Sequence, residues 1–370
     1  MARVLFALTY YHPHWTGLTQ YAKRVAEGLA QRGHKVKVIT TKHGDKLPTS
    51  ETIGGVEIKR EPVWFRLSRT LVSPVLMLDS VRAIANADKI IVFLPFAEIL
   101  WINLWAKIFG KQVYLVHNGD LKLPDGLINR ALEKIYDWST EIAIDASEAI
   151  VIHTKDYAEN SRVLARHVNK WRVILPPIEP MRPDKKLIKK KVGENIIGFA
   201  GRFVEEKGFD ILIKSIPLIL AKRPKTRFAF AGETQISYEN FFDKVRGEYN
   251  KYKRNITSLG LLTLEQMASF YKACDVFVVS SRSDCFPVTQ VEAMFCGTPV
   301  VVTDIPGARW PVTHTGMGVI VKSEDPQSLA EGVIHVLDNR KKYIRKKTDI
   351  AKVFNYEKSI EEYEKLISGN

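Results

Sequence analysis

Cysteines and long uninterrupted apolar segments are both scarce in this chain. Its 370 residues include three cysteines, Cys274, Cys285 and Cys296. An odd number of cysteines in one short stretch argues against a disulfide framework, and their spacing does not fit paired zinc ligands about two to four residues apart. The most apolar segment, residues 90–109, is interrupted by Pro95 and by charged residues, whereas a membrane span needs about 20 mostly apolar residues. The N-terminus also has no export signal, so we expect a cytoplasmic protein with reduced thiols.

Several short nucleotide-binding and metal-binding signatures are absent. Neither the dinucleotide pattern G-x-G-x-x-G nor the phosphate-loop pattern G-x-x-x-x-G-K-[ST] occurs. No Asp-x-Asp pair is present to hold a divalent cation on the phosphates of a nucleotide, and the nine histidines have no metal-ligand spacing such as H-E-x-x-H. We therefore expect no metal ion and no resident cofactor.

Basic residues outnumber acidic ones. The chain has 55 Lys and Arg against 41 Asp and Glu, a formal net charge of +14. Residues 1–50 carry eight basic and two acidic side chains, and residues 181–190 carry five and one. This excess predicts an anionic partner: a nucleotide, a phosphate, nucleic acid or a lipid surface. A basic nucleic-acid-binding protein is one alternative, although no helix-turn-helix, zinc or RNA-stacking signature supports it.

Short apolar runs alternate with helical stretches in both halves of the chain. Such runs are typical of parallel strands that are buried on both faces. The strands predicted in the first half are residues 4–8, 36–40, 90–94, 113–116 and 149–153. Those predicted in the second half are residues 196–200, 227–231, 275–280, 299–303 and 318–321, with a helix over residues 209–221. The pattern predicts an α/β protein with two doubly wound, Rossmann-like domains.

A segment rich in proline and lysine, residues 176–191, separates the two sets of strands and has the composition of a linker. The predicted organisation is an N-terminal domain over residues 1–178, a linker over 179–192, a C-terminal domain over 193–354 and a last helix over 355–370. We expect the last helix to pack back on the N-terminal domain.

Loops after predicted strands are suited to bind an anion in both halves. Gly17 precedes the first predicted helix, where backbone amides and the helix dipole attract a phosphate. Arg202 and Lys207 flank the start of a helix in the second half, and two cations in that position can neutralise a diphosphate. Asp284 and Glu292 lie eight positions apart around a loop and a helix start, so the backbone amides between them can face a ligand.

The order and spacing of these motifs resemble the family 4 retaining glycosyltransferases of GT-B fold over nearly the whole chain. The matching features are the glycine loop with the first helix, His117-Asn-Gly119, Gly201-Arg202 with Glu206-Lys207-Gly208, Ser258-Leu-Gly260, and Glu292-Ala-Met with Gly297-Thr-Pro-Val-Val. The resemblance implies two Rossmann-like domains that face each other across a cleft, with the acceptor on the first and the nucleotide sugar on the second.

The resemblance also implies roles for individual residues. Arg202 and Lys207 would bind the donor diphosphate, which Gly17 would approach from the other domain. Glu292 would hold the ribose hydroxyls, and His117 would lie beside the transferred sugar. The implied catalytic residues are His117, Asp284, Arg202 and Lys207. The implied donor-binding residues are Gly17, Gly201, Arg202, Lys207, Gly232, Leu259, Gly260, Phe286, Pro287, Val288, Thr289 and Glu292.

Some positions depart from the family pattern. Asp284 stands where glutamate is usual, and Phe286-Pro287 stands where Phe-Gly is common. In the first loop Thr16 precedes Gly17 where two glycines are common. Because both cations and the second carboxylate are retained, we expect an active enzyme.

The resemblance implies a metal-independent, retaining hexosyltransferase. It would move a hexosyl group from a UDP- or GDP-sugar to an acceptor hydroxyl in glycolipid, polysaccharide or other glycoconjugate synthesis. A sugar-nucleotide epimerase or a phosphorylase of the same fold is the enzymatic alternative. Either would need a second acid or base at the sugar, or a pyridoxal-phosphate lysine, and neither is evident.

The segment from Glu61 to Leu78 leaves two interpretations open. It places aromatic residues next to arginines, at Trp64, Phe65, Arg66 and Arg69. This combination is typical of segments that lie at a membrane interface, and a lipid-linked acceptor on the inner face of an anionic membrane would account for it. The other interpretation is a core helix with a basic edge.

Overall fold

The structure, a computed structural model, describes the chain in five stretches: residues 1–67, 70–123, 126–183, 187–234 and 240–369. Contacts divide the chain into two compact units. The first comprises Met1–Pro177 with Tyr356–Asn370, and the second comprises Ile178–Asn355. No helix in the described stretches is both long enough and apolar enough to cross a membrane.

Within its described residues, the first unit is built on an eight-stranded sheet. The strands of this unit are β1 (Arg3–Ala7), β2 (Lys35–Lys42), β3 (Ser50–Ile53), β4 (Val56–Pro62), β5 (Phe65–Leu67), β6 (Thr70–Val72), β7 (Lys89–Leu94), β8 (Gln112–His117), β9 (Ala149–Ile152) and β10 (Trp171–Val173). Its helices are α1 (Gly17–Gln31), α2 (Pro74–Asn86), α3 (Ile99–Ile108), α4 (Leu127–Ala146), α5 (Lys155–Glu159) and, at the end of the chain, α14 (Tyr356–Ser368).

The strand order of the first sheet is β10-β9-β8-β7-β1-β2-β4-β3, and the β3–β4 pair is antiparallel while the other pairs are parallel. Strands β5 and β6 form a separate antiparallel hairpin. In the central strand β1, Val4 and Phe6 join the core on one face, and Leu5 and Ala7 join the core on the other. Covered on both faces, the strand is apolar at successive positions.

The last helix, α14, packs on α1 in the first unit. The hydroxyls of Tyr21 and Tyr363 share a buried hydrogen bond. A Cβ atom at Gly28 would lie 2.7 Å from the Cδ1 atom of Ile360, so a larger residue there would displace α14.

The second unit is built on a six-stranded sheet whose described neighbours are all parallel, in the order β13-β12-β11-β14-β15-β16. Its strands are β11 (Asn195–Ala200), β12 (Thr226–Ala231), β13 (Ile256–Gly260), β14 (Val276–Val279), β15 (Val300–Thr303) and β16 (Gly318–Val321). Its helices are α6 (Phe209–Lys222), α7 (Phe241–Lys251), α8 (Leu264–Ala273), α9 (Val288–Phe295), α10 (Trp310–Thr315), α11 (Pro326–Asp338), α12 (Arg340–Tyr343) and α13 (Lys347–Val353).

The prediction of two doubly wound α/β sheets is confirmed. Each strand predicted from an apolar run is present, with its ends shifted by at most two residues. Strands β3, β4, β10 and β13 were not predicted. They lie at or near the margins of their sheets and alternate buried with exposed positions or remain partly exposed, so they form no continuous apolar run.

Part of the predicted linker is held by the second unit. The ammonium of Lys190 lies 2.6 Å from Asp275, and Arg227 donates a hydrogen bond of 2.6 Å to the carbonyl of Lys189. Ile188 is buried. Residues 184–186 of the linker lie outside the described residues.

The segment rich in aromatic residues and arginines is a hairpin followed by α2. Helix α2 begins only at Pro74, so the core-helix interpretation is wrong for residues 65–67 and 70–72. Trp64 is 68% exposed and Phe65 is 54% exposed. Arg69 and the side chain of Arg66 lie outside the described part of the chain.

Candidate active site

Three glycines lie together where neighbouring strands of the second sheet end. Gly201 follows β11, Gly232 follows β12, and Gly260 is the last residue of β13. The amide of Gly232 donates a hydrogen bond of 2.8 Å to the carbonyl of Gly260. A Cβ atom on Gly232, whose φ is +132°, would lie 2.0 Å from the carbonyl oxygen of Gly201. The close approach of these backbones therefore requires glycine at position 232. Leu259, in β13, is half-buried.

The turn after β11 carries the two predicted cations. Arg202 pairs with Glu206 at 3.4 Å, and Lys207 ends a short 3-10 turn over Glu205–Lys207. Gly208 follows in the left-handed conformation, with φ at +61°. A Cβ atom at Gly208 would lie 1.9 Å from the carbonyl oxygen of Ser280, so glycine lets the turn pack directly against the loop that follows β14.

Lys207 and Asp284 form an ion pair that the sequence did not predict as a pair. The Nζ atom of Lys207 lies 2.5 Å from the Oδ2 atom of Asp284, and both side chains are largely buried. Burial by itself would lower the pKa of Lys207, but the charges of Asp284 and Glu206 outweigh it and hold that pKa above its ordinary value. Lys207 therefore remains a cation inside a partly desolvated site.

Backbone hydrogen bonds connect the two loops that carry this ion pair. The amide of Arg282 donates a hydrogen bond of 2.8 Å to the carbonyl of Glu206, and the hydroxyl of Ser280 donates one of 3.0 Å to the carbonyl of Lys207. The guanidinium of Arg282 also makes two hydrogen bonds, of 2.7 and 2.9 Å, to the carboxylate of Asp210 in α6. These contacts fix the position of Lys207 relative to Asp284. Neither Arg282 nor Asp210 was predicted as part of the site, since no local pattern relates them.

Gly307 supports the Asp284 loop from the other side. This residue follows β15, and a Cβ atom on it would lie 2.1 Å from the carbonyl oxygen of Cys285. The Pro306-Gly307 dipeptide is a recognisable turn signal, but its contact with the Asp284 loop is made only in the fold.

Glu292 lies in the buried part of α9 and is oriented by Tyr271. The phenol of Tyr271 donates a hydrogen bond of 2.9 Å to the Oε2 atom of Glu292. Burial and the neighbouring carboxylate raise the pKa of Tyr271 well above its ordinary value, so the phenol remains a donor. Sequence reasoning identified Glu292 but missed Tyr271, which is 21 positions away.

The start of α9 is held in place by the packing of Phe286, and the helix dipole makes this end of the helix partly positive. The ring of Phe286 is buried near the rings of Trp310 and Phe354, and its amide donates 3.3 Å to the Oδ1 atom of Asp284. Pro287 precedes the helix, and no side chain caps it among the described residues. The first amides of α9, from Val288 onward, therefore present the positive end of the helix dipole beside Asp284.

In the first unit, Gly17 is the first residue of α1. Thr16 caps this helix through a reciprocal pair of hydrogen bonds with Thr19. Apart from Gly17 itself, its chain neighbours and the adjacent backbone of its own helix, no atom of the described chain lies within 4 Å of the place where a Cβ atom on Gly17 would stand. Packing within the described chain therefore does not require glycine here, and the open space adjoins the positive end of a helix.

His117 is the last residue of β8 and is oriented by Asp120. The Nε2 atom of the buried His117 lies 3.2 Å from the Oδ1 atom of Asp120. The same carboxylate accepts hydrogen bonds from the hydroxyl of Ser161 at 2.6 Å and the amide of Arg162 at 2.9 Å. Burial alone would raise the pKa of Asp120, but the neighbouring His117 and the hydrogen bonds from Ser161 and Arg162 outweigh it and lower that pKa to about 2. Asp120 was not predicted, although it closely follows His117 in the sequence.

Each unit of the chain thus has loops with charged residues at the carboxyl edge of a parallel sheet, which is where ligands bind in open α/β folds. Two such Rossmann-like units define the GT-B class of glycosyltransferases. The solved structure of HepE from Anabaena, in complex with UDP-glucose, has the same architecture: it matches with a TM-score of 0.75 over 100% of both chains at 15% sequence identity.

The family is defined by matches to both halves. Residues 15–182 match the family described as Glycosyltransferase Family 4, and residues 181–352 match the family described as Glycosyl transferases group 1. The chain belongs to glycosyltransferase family 4.

Curated relatives agree with this assignment. An uncharacterized glycosyltransferase of Methanocaldococcus jannaschii is 25% identical over 339 residues, which cover 87% of this chain and 85% of the relative. A GDP-mannose-dependent monoacylated alpha-(1-6)-phosphatidylinositol monomannoside mannosyltransferase of Corynebacterium glutamicum is 29% identical over 167 residues, which cover 42% of each chain. These matches favour a transferase over the epimerase, phosphorylase and nucleic-acid-binding alternatives.

Proposed function

We propose that the chain is a retaining hexosyltransferase that uses a UDP- or GDP-sugar as donor and an acceptor hydroxyl of a glycolipid or other glycoconjugate. The observation that carries this proposal is the half-buried Lys207–Asp284 ion pair next to Arg202. Two cations beside the start of α6 are suited to the charge of a nucleoside diphosphate.

The cations would act mainly on the leaving group. As the bond between the sugar C1 and the diphosphate oxygen breaks, negative charge grows on the diphosphate, and Arg202 and Lys207 stabilise it. A bond forms between C1 and the acceptor oxygen on the same face of the sugar, and the acceptor proton moves to the departing phosphate oxygen. This balance requires no enzymic nucleophile, and binding both substrates in the reactive orientation supplies much of the remaining catalysis.

The other predicted residues would position the donor. The carboxylate of Glu292, held by Tyr271, is suited to accept hydrogen bonds from ribose hydroxyls. The amides at the start of α9 are suited to anionic oxygens, as are those beside Gly17. His117, whose Nε2 atom lies 3.2 Å from Asp120, would offer an imidazole for a sugar hydroxyl. The donor classes come from relatives: one is named as GDP-mannose-dependent, and HepE was solved with UDP-glucose.

Metal independence is part of the same proposal. Because the charge of the diphosphate is met by side chains, turnover should persist in excess EDTA. Loss of turnover on chelation, restored by magnesium or manganese, would contradict this part and leave the donor assignment in place.

A donor screen tests the proposal directly. Thermal unfolding is measured with UDP, GDP and ADP and with their glucose and mannose conjugates, because a bound nucleotide raises Tm by an amount that grows with the ratio of its concentration to its Kd. We expect either the UDP compounds or the GDP compounds to raise the Tm of the native chain. The same compounds should raise the Tm of Arg202→Ala much less. Proton NMR of the product then compares its anomeric configuration with that of the donor. An inverted product would refute retention, and no response to any nucleotide would refute the donor site.

A further inference from the structure

Large apolar side chains are exposed on three neighbouring helices of the first unit. A helix that covers a sheet normally turns polar residues to water. Here nine large apolar residues of α2, α3 and α4 and their ends are exposed instead: Leu78, Leu104, Ile108, Phe109, Leu127, Ile128, Ile135, Trp138 and Ile142. We call this surface the apolar helix face.

Helix α4 forms the longest part of this face. Ile135, Trp138 and Ile142 follow the three-and-four spacing of one side of a helix, and they are 59%, 60% and 39% exposed. The opposite side of α4 carries Thr140 and Ala143, which are buried. The helix is therefore apolar on its outer side, while its inner side already packs on the unit.

The three helices lie side by side, so the exposed residues belong to one surface. Asn103 in α3 donates a hydrogen bond of 3.0 Å to the carbonyl of Ala143 in α4. Trp101 in α3 donates one of 2.8 Å to the carbonyl of Met77 in α2. Leu104, at the outer side of α3, therefore lies between the two neighbouring helices.

On these helices the cations are exposed, whereas most of the carboxylates are half-buried. Their exposed cations are Arg82, Lys107, Arg130 and Lys134. Their half-buried carboxylates are Asp79, Glu133, Asp137 and Glu141, and each forms an ion pair, with Lys59, Arg162 or Arg166. Asp145 is the exposed carboxylate, at the far end of α4, where it meets His167 at 3.1 Å. The apolar helix face thus presents apolar side chains and cations outward while most of the carboxylates are neutralised by partners.

We propose that the apolar helix face docks on the surface of an anionic phospholipid bilayer. Tryptophan, isoleucine and leucine inserted at the level of the headgroups, with lysine and arginine beside them, are the residue types that hold a protein in a membrane interface. Anionic headgroups complement the exposed cations. A lipid surface also suits an apolar face that is spread over three helices.

Docking in this way deepens the proposed function, on which the following step rests. Helix α4 begins at Leu127, ten positions after His117, and Leu127 and Ile128 at its start are 85% and 76% exposed. The exposed start of α4 is thus close in the sequence to the His117–Asp120 pair. A membrane-bound acceptor lipid would present its headgroup hydroxyl near this edge of the first sheet.

Vesicle co-sedimentation of the full chain tests the docking. Vesicles of phosphatidylcholine alone are compared with vesicles in which about a third of the lipid is phosphatidylglycerol. We expect binding to the anionic vesicles that weakens with salt, and about tenfold weaker binding in the double variant Ile135→Ser/Trp138→Ser. Lys107→Glu/Lys134→Glu should also weaken binding, while Lys214→Glu, which alters an exposed lysine of the second unit, should not.

A competing patch serves as the matched control. Trp64→Ser/Phe65→Ser removes two exposed aromatic residues from the hairpin and leaves α4 intact. If this variant loses vesicle binding and Ile135→Ser/Trp138→Ser retains it, the proposal is overturned. It is also overturned if vesicles of neither kind bind, or if the chain is a dimer in solution that the α4 variant converts to monomers. All variants should keep the native Tm, because the altered side chains are exposed.

The donor site provides an independent readout. The rise in Tm with nucleotide should be the same in the native chain and in the α4 variant, because the altered residues lie in the first unit. Vesicle binding without any nucleotide response would refute the proposed function alone. A nucleotide response without vesicle binding would refute the membrane docking alone.

Discussion

Lys207 and Asp284 are 77 positions apart in the sequence, and their charged groups are 2.5 Å apart in the fold. The pair explains how a lysine with little exposure keeps its charge before a donor binds: the carboxylate compensates for the lost hydration. A diphosphate in the proposed donor site would meet a cation already held in place by the hydrogen bonds from Arg282 and Ser280 to the turn that carries it.

Removal of the Lys207 ammonium should abolish most of the activity. We expect Lys207→Ala to lower kcat/KM by about 100-fold or more, because one cation is lost and the Asp284 carboxylate is left unpaired where the leaving group must be stabilised. Steady-state kinetics with a nucleotide sugar measure this. Lys214→Ala, which removes an exposed lysine of α6, is the control and should have native kinetics. Native turnover in Lys207→Ala would refute the assigned role.

Gly17 should be replaceable for folding but not for function. Gly17→Ala meets no atom of the described chain within 4 Å and should raise the free energy of unfolding by about 0.5–1 kcal/mol, because alanine suits a helix better than glycine. Turnover should fall about tenfold if an anion occupies the adjacent space. Gly247→Ala in α7, where a Cβ atom also meets nothing within 4 Å, should stabilise the fold without affecting turnover. Equal kinetics in the two variants would remove Gly17 from the site.

Tyr271 should act on the donor through Glu292. Tyr271→Phe deletes a buried hydrogen bond to the Glu292 carboxylate, and such a bond to a charged group contributes about 1.5–3 kcal/mol. We expect nucleotide affinity, measured by calorimetry, to fall about tenfold or more, with a larger effect on KM than on kcat. Tyr343→Phe, whose hydroxyl meets His335 at 2.9 Å, is the matched control. A lowered Tm with unchanged nucleotide affinity would make Tyr271 a residue of the core alone.

Glu98 should make the fold less stable as pH rises. It precedes α3 and is 8% exposed, and burial raises its pKa to about 7. The folded chain therefore binds a proton that the unfolded chain releases at lower pH, so the free energy of unfolding falls between about pH 4.5 and pH 7 through this group. Glu98→Gln should be more stable than the native chain at pH 8, by at most about 3 kcal/mol, and nearly equal to it at pH 4.5.

Urea unfolding at the two pH values measures this difference. Glu159→Gln, which neutralises an exposed carboxylate at the end of α5, controls for the change in net charge. If the difference in unfolding free energy between the native chain and Glu98→Gln does not vary with pH, folding leaves the pKa of Glu98 unchanged and the prediction is wrong.

Local pattern was sufficient to predict the architecture and to propose single residues of the candidate site. Strands such as β1 and β14 are buried on both faces, so each one is a continuous apolar run that can be recognised without its neighbours. Glycines and cations next to strand ends likewise carry local information, which made Arg202 and Lys207 candidates, and the family resemblance added Glu292.

Contacts between residues that are far apart in the sequence could be identified only from the tertiary structure. Asp284 neutralises Lys207, Tyr271 orients Glu292, and Gly307 lies under the Asp284 loop, because strands that are separate in the sequence are neighbours in the second sheet. The outward apolar side of α4 is a further case. Periodicity records which positions of a helix are apolar, but only packing decides which of its sides the rest of the chain covers, and in α4 the covered side does not include Trp138.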